Sequence, residues 1–435
     1  MKNDTQAPTH THGLWEASAP QAPSTTALSQ DLVVDVAIVG AGFTGLSSAL
    51  HLAQGGASVA VLEAEEMGFG GSGRNVGLVN AGMWVMPSEL PGALGPVHGT
   101  RLLNLLGDAP TLVFDLIQRH GIECEAVRKG TLHCAVGASG LRDIAERCRQ
   151  WKTHGAPVQL LGAADTRAKV GTSAYTGALL DLRAGTIQPL AYVHGLATAA
   201  LKAGAKVYSN SPVSTVTDQG TSWLVRTAAG HTVQAKWIIV ATNAYTGPQG
   251  VWSVLRSELV HLPYFNMATP VLSKALQASI LPERQGAWDT PDVLSSFRFD
   301  QAGRLVFGSV GALRGVGETI HRNWGRRALA KLFPQLKGID FEHTWYGSIG
   351  MTPNALPRFH RLARNTVSFS GYNGRGIAPG TTFGRELARL VMGEIGEADL
   401  PLPVSEVAPI SLGGVREAYY EIGAQVAHFA GARFG

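Results

Sequence analysis

The stretch DVAIVGAGFTGLSSALHLAQGGASVAVLEAE, residues 35–65, constrains this chain more than any other. An apolar strand runs directly into Gly40, Gly42 and Gly45, a helix-forming run follows, and a second apolar strand stops at Glu63. In such a strand–turn–helix the first glycine permits the tight turn and the second lets a phosphate approach the backbone. The third lets the helix lie close on the sheet. The free N–H groups and the positive end of the helix then face the diphosphate of a dinucleotide. A carboxylate at Glu63 suits the hydroxyls of an adenosine ribose and repels a 2′-phosphate, which disfavours NADP. GFGGSG at residues 68–73 repeats the glycine spacing, but no apolar strand precedes it and no helical pattern follows, so it reads as an accidental match. With one such unit there is no separate nicotinamide site, and a two-nucleotide reductase is not expected.

The remainder predicts a mixed α/β and α+β protein, a Rossmann-like nucleotide-binding domain joined to a second, antiparallel-sheet substrate domain. The chain's 435 residues exceed one ordinary core. WIIV at 237–240 is apolar throughout, as a central strand of a buried parallel sheet is. LVHLPYFNMATPV and VLSSFRFDQAGRLVFGSVG alternate apolar with polar residues, and DQAG supplies a hairpin turn. The boundaries read from these patterns place 31–84, 155–250 and 343–396 in the nucleotide domain and 85–154 and 251–342 in the substrate domain. Residues 1–30 read as a loosely packed N-terminal tail from which LWEAS at 14–18 can dock on the body, and 397–435 as a C-terminal extension.

Composition removes several alternatives. Hydrophobic residues make up 45% and charged residues 16%, the balance of a packed globular chain. The net charge of +4 is thinly spread, and the densest basic run, HRNWGRRALAK at 321–331, has the spacing of a solvated helix face, so no nucleic-acid partner is expected. The apolar run near residues 33–53 is broken by glycines and contains Asp35 and His51, so no integral membrane segment is expected. Cys124, Cys134 and Cys148 are odd in number and lack metal-ligand spacing, which predicts free thiols, no metal site and a cytoplasmic setting. His10 and His12 read as part of a polar tail rather than as metal ligands.

GAGFTG with Glu63, GGSGRNVGLVNAG at 70–82, IIVATNAY at 238–245 and GYNGRG at 371–376 together resemble the D-amino-acid oxidase-like flavoproteins, which bind FAD and oxidise amines. The resemblance runs from about residue 33 to 395 and is strongest to bacterial enzymes of the γ-glutamylputrescine, L-pipecolate and iminodiacetate oxidase type. It implies that Gly40, Ala41, Gly42, Phe43, Thr44, Gly45, Glu63 and Ala64 hold the ADP half of FAD. It places Ser72, Gly73, Arg74, Asn75, Val76 and Gly77 along the ribityl chain and flavin. Val213 would offer its backbone to the adenine, Ala241 and Thr242 would close over the diphosphate, and Gly374, Arg375, Gly376 and Ile377 would meet the pyrimidine edge. There a glycine turn before a helix brings backbone donors, a helix N-terminus and the Arg375 charge to one acceptor. Some relatives bind FAD through a cysteine where this chain has Gly347, others through a histidine within the stretch matching 72–77, where none stands. Non-covalent FAD follows. A lysine that grips the substrate carboxylate in the sarcosine-oxidase branch is replaced by Ala378.

The resemblance implies hydride transfer from the carbon beside nitrogen to flavin N5, hydrolysis of the imine, and transfer of electrons to oxygen with release of peroxide. The expected substrate is a small secondary amino acid or carboxylated amine such as pipecolate, sarcosine or iminodiacetate. A γ-glutamylputrescine-type oxidase, a dehydrogenase with a quinone or carrier acceptor, an inactive flavin-binding partner subunit and a plain NAD-binding module are the alternatives. His261, Tyr264, Ser296, Arg298, Trp345, Tyr346, Asn373 and Arg375 are the candidate catalytic and substrate residues, with Arg74, Arg298 and Arg375 the candidates for a carboxylate because a guanidinium fork binds both its oxygens. Lys274 is a further candidate for oxygen activation.

Overall fold

A computed structural model describes residues 12–430. The nucleotide-binding core is a sheet in which Leu32–Val39 lies between Val59–Leu62 and Thr232–Val240, extended by Lys206–Tyr208 on one side and Thr366–Ser370 on the other. These five strands are parallel. Arg358–Ala363 closes one edge antiparallel, and Val213–Asp218 with Trp223–Thr227 form an antiparallel flap on Thr232–Val240. The strand 59–62 is buried at every position, as a strand covered by helices on both faces must be. Two helices meet on this sheet: Phe43–Gln54, after the glycine turn, and Ile377–Val391, from near the end of the family-like region. Small residues let them approach. A Cβ on Gly384 would come within 2.6 Å of the Thr44 carbonyl oxygen, and Ser47 and Ser48 donate to the carbonyls of Thr381 and Gly384.

The second sheet runs His343–Met351, Val260–Val271, Arg304–Val310, Ser295–Phe299, Gly286–Asp289, Thr131–Ala135, Gly177–Asp181, Val158–Gly162. All neighbours are antiparallel except 286–289 and 131–135. Three of these strands correct the domain boundaries read from the sequence. Strands 158–162 and 177–181, expected in the nucleotide domain, form one edge of the second sheet, and 343–351 forms the other. Pairing decides this: nine successive residues of 260–268 stand opposite 343–351, a long-range register that no local pattern encodes.

Residues 12–28 correct the expectation of a loose tail. Leu14–Ser18 is a short helix whose Trp15 is fully buried, donates its indole N–H to the Asn75 carbonyl at 2.8 Å and meets Trp345 edge to face. His12 is buried as well and points Nε2 at the Gly68 carbonyl, 3.1 Å away; His10 lies outside the described residues. The basic run lies on the helix Val316–Leu332, where Arg326, Arg327 and Lys331 are exposed and Arg322 and Arg326 pair with Asp340. Among the described residues no helix is long and apolar enough to cross a membrane, and no group of three His, Cys, Asp or Glu residues is placed to hold a metal.

The C-terminal helix Gly413–Ala430 packs on 260–271 and on 316–332. Its anchor is His428, stacked on Trp324 and 2.7 Å from His321 between the two Nδ1 atoms, with both rings buried. Burial pushes the His321 pKa down from 6.5 to about 4, with Glu421 opposing. The unfolded chain therefore takes up a proton that the folded one refuses. The resulting stability is complete above pH 6.5 and is lost as pH falls from 6.5 through about 4. Urea unfolding across that window is expected to show decreasing stability, and His321→Gln is expected to flatten that part of the profile.

Candidate active site

The glycine turn leaves its backbone bare. Gly40 sits at φ 106°, a left-handed value that favours glycine, and a Cβ on Gly45 would fall 1.9 Å from the Gly40 carbonyl oxygen. Glu63, at the end of its strand, accepts the Ala41 N–H at 2.7 Å and the Glu65 N–H at 3.1 Å. Burial raises its pKa, and the N–H donors of Ala41, Glu65 and Ala64 oppose that shift. Segment 68–74 gains a role that its accidental glycine spacing does not suggest. Its end, Gly71–Arg74, is a single helical turn, and Ser72 Oγ accepts the Phe43 N–H at 3.1 Å beside Gly42, so the segment braces the glycine turn.

One cavity of about 1260 Å³ begins at this turn, above the roughly 300–1,000 Å³ usual for a small-molecule site. Its wall includes Gly40, Gly42, Phe43, Thr44, Glu63, Ala64, Val213, Ala241 and Thr242 at one end. Ser72, Arg74, Asn75, Val76, Gly347, Gly374, Arg375, Gly376 and Ile377 line it further on. Ala41, Gly45, Gly73 and Gly77 do not line it. Gly45, Gly73 and Gly77 instead allow close backbone passage, since a Cβ on Gly73 would meet Gly68 O at 2.3 Å and one on Gly77 would meet Ile187 O at 2.1 Å. Asn75 holds the middle of the wall through its amide, which donates to the Gly71 and Ser72 carbonyls and accepts the Gly77 N–H. The late turn is tied to the early one by Thr44 Oγ1 and Tyr372 Oη, 2.7 Å apart.

The candidate substrate residues divide sharply. Tyr264 and Ser296 line the cavity with their hydroxyls 2.6 Å apart, and Asn373 and Arg375 line it too. Arg298 does not: it is 1% exposed, pairs with Glu125 at 3.3 Å and donates to the carbonyls of Ile187 and Phe299. Its strand 295–299 is buried on both faces, so the alternation that would turn one face to a pocket does not hold there. Trp345 is a packed core residue donating to the Arg74 carbonyl, and the Tyr346 side chain is absent from the cavity wall. His261 is held by Glu417 and the Ala244 carbonyl, which ties strand 260–271 to the C-terminal helix. Lys274 is exposed on the short helix Lys274–Ser279, away from the cavity. Arg74 is gripped by the Phe69 and Tyr346 carbonyls and lies over the Phe69 ring.

The structure adds lining residues that the sequence reading missed: Trp84, His133, Arg147 and Trp288, with Tyr419 and Tyr420 from the C-terminal helix. The Arg375 guanidinium lies 4.8 Å from the Trp84 ring and 5.0 Å from the Trp288 ring and donates to the Ala81 carbonyl at 2.9 Å. Burial, and then the charge of Arg147, push its pKa down to about 9, which still leaves it charged at neutral pH. Arg147 reaches the same segment from the other side, donating to the carbonyls of Met83 and Trp84 at 3.2 and 2.7 Å. His133 stacks on Trp288 at 3.4 Å, and burial with the two arginines holds it well below the usual histidine range, hence neutral.

A family model described as FAD dependent oxidoreductase matches residues 35–390. The chain is 33% identical over 428 residues to γ-glutamylputrescine oxidoreductase of Escherichia coli (strain K12), covering 95% of this chain and 98% of that protein. Among solved structures, glycine oxidase of Geobacillus kaustophilus superposes with a TM-score of 0.68 at 22% identity, covering 86% of this chain and 99% of that one. Iminodiacetate oxidase of Chelativorans sp. BNC1 superposes with a TM-score of 0.67 at 19% identity, covering 86% and 98%. These two likenesses show the fold.

Removing Arg298 strands the Glu125 carboxyl beside a closed core. Arg298→Ala is expected to lower unfolding stability by about 3–5 kcal/mol, measured by urea titration, and the double change with Glu125→Ala to recover part of that loss.

Proposed function

The chain belongs to the FAD dependent oxidoreductase family, and on that premise we propose that it oxidises a secondary amino acid or carboxylated amine at the carbon beside nitrogen. The observation carrying this reading is the continuity of one cavity from a bare glycine turn to a cationic, aromatic-walled end. The donor chemistry fits FAD. Unobstructed backbone at Gly40 and Gly42 and the start of helix 43–54 suit a diphosphate, and the Glu63 carboxylate suits ribose hydroxyls. The left-handed Gly374 and the N-terminus of helix 377–391 suit the carbonyl-rich edge of a flavin. FAD held by these residues would supply the acceptor for the hydride, with oxygen as the proposed final oxidant.

The chain's own residues then bind and orient. The N–H groups of Gly376 and Ile377 and the helix end they open would favour negative charge at that edge, while the Arg375 N–H is spent on the Tyr372 carbonyl. Trp84, Trp288 and Tyr264 wall off water, and a substrate held in line with its acceptor gains much of its rate from position alone. A neutral amine needs no strong base, and His133, kept neutral, adds no charge against it. The imine product is hydrolysed by water. Cys124, Cys134 and Cys148 are free thiols outside the cavity wall, and Gly347 stands beside Arg74 and Tyr245. This supports non-covalent FAD and a reducing, cytoplasmic setting.

The 33% identity to the γ-glutamylputrescine enzyme supports a second reading, in which the amine is a longer γ-glutamyl compound and the chemistry is unchanged. A peroxide assay over pipecolate, sarcosine, iminodiacetate and γ-glutamylputrescine separates the two. Turnover of one of the first three is expected; turnover of the γ-glutamyl amine alone would overturn the main reading, and turnover only with an artificial dye would identify a dehydrogenase. Denaturation of the purified yellow protein is expected to release its flavin into the supernatant, and retention by the precipitate would contradict non-covalent binding.

A further inference from the structure

We infer that Arg147 and Arg375 together form the subsite for the acidic group of the substrate, with Trp84 and Trp288 flanking its apolar body. This rests on the amine-oxidising reading and goes beyond it by fixing which side chains select the substrate. Both arginines line the cavity and each is only 8% exposed. Among the described residues neither lies within 4.0 Å of a carboxylate, whereas Arg298, buried away from the cavity, pairs with Glu125, and the half-buried Arg183 pairs with Asp181. Each keeps a buried Nε–H without a hydrogen-bond partner. Their Nη groups are anchored on three carbonyls of one short segment, those of Ala81, Met83 and Trp84, which brings the two guanidinium groups together and holds them there.

A lone buried charge is strongly unfavourable, and two of like sign more so, unless an opposite charge and further hydrogen bonds meet them. The nearby acids do not serve. Asp143, one turn before Arg147 on the helix Gly137–Thr153, and Glu89 are exposed, Asp181 is paired with Arg183, and Asp289, beside Trp288, already accepts from Ser295 N and Tyr175 Oη. Backbone carbonyls and aromatic faces supply only partial negative charge. A ligand carboxylate supplies a full one, and its two oxygens suit the guanidinium forks that line the cavity. The same pair repels a second ammonium, so a simple diamine is a poor ligand. The chemical class selected is an amine that carries a carboxylate on a short apolar frame.

Pipecolate and piperidine differ only by that carboxylate, and cyclohexanecarboxylate is an acid of the same shape that cannot be oxidised at nitrogen. For Arg147→Gln, kcat/KM for pipecolate is expected to fall at least tenfold, mainly through KM, while the lower kcat/KM for piperidine falls far less. Cyclohexanecarboxylate binding, read from the perturbed flavin absorbance, is expected to weaken at least tenfold at unaltered FAD content. Arg147→Lys, which keeps the charge and loses the fork, is expected to fall between, and decides the matter if the glutamine variant does not fold. Equal losses for pipecolate and piperidine, unchanged cyclohexanecarboxylate affinity, or loss of FAD would overturn the assignment. Failure of the underlying reading looks different: the unaltered protein would then oxidise neither pipecolate nor piperidine, whatever happens to cyclohexanecarboxylate binding at Arg147.

Discussion

The close approach of helix 377–391 to helix 43–54 is the constraint on which the rest depends. A Cβ on Gly384 would lie 2.6 Å from the Thr44 carbonyl oxygen and one on Gly380 would lie 3.2 Å from Thr44 Oγ1, so side chains at either position would push the helices apart. Because they do not, the N-termini of two helices from opposite ends of the chain open into the same cavity. Thr44 and Tyr372, 328 positions apart, then share a hydrogen bond. Two positive helix ends at one cavity define an environment for a long anionic cofactor, and the antiparallel sheet, joined along 343–351, closes the other side.

Buried arginines show how the same residue type serves different ends. Arg298 is paired with Glu125 and sealed in the core, where its role is to satisfy carbonyls that strand pairing leaves over. Arg74 holds the cavity wall through carbonyls of Phe69 and Tyr346. Arg147 and Arg375 have carbonyl anchors but no acid, and they face open volume. Against Arg298 the difference is one of missing counter-charge, which gives the last pair a reason to meet a ligand.

Much of the nucleotide end was legible in the sequence, because it depends on local requirements. The glycines at 40, 42 and 45 answer a local need for bare backbone, and the acid at 63 holds the Ala41 N–H of the same turn, so both show in residues close along the chain. Strand WIIV and the hairpin at DQAG were legible for the same reason. The domain boundaries were not, since 158–162, 177–181 and 343–351 join the second sheet through pairings made far along the chain. Arg298 misled because its strand is buried on both faces. Arg147 did leave a signal. It stands among Ile144, Cys148 and Trp151 on the buried face of an amphipathic helix, where a charged residue needs a partner or a purpose.

The account turns on where the flavin lies. A crystal structure of the FAD-bound protein with cyclohexanecarboxylate tests it most directly. The account predicts adenosine at Glu63 and Val213, the ring system between 74–76 and 374–377, and the carboxylate on Arg147 and Arg375. A ring system remote from 374–377, or an acid bound away from both arginines beside an occupied flavin site, would contradict it.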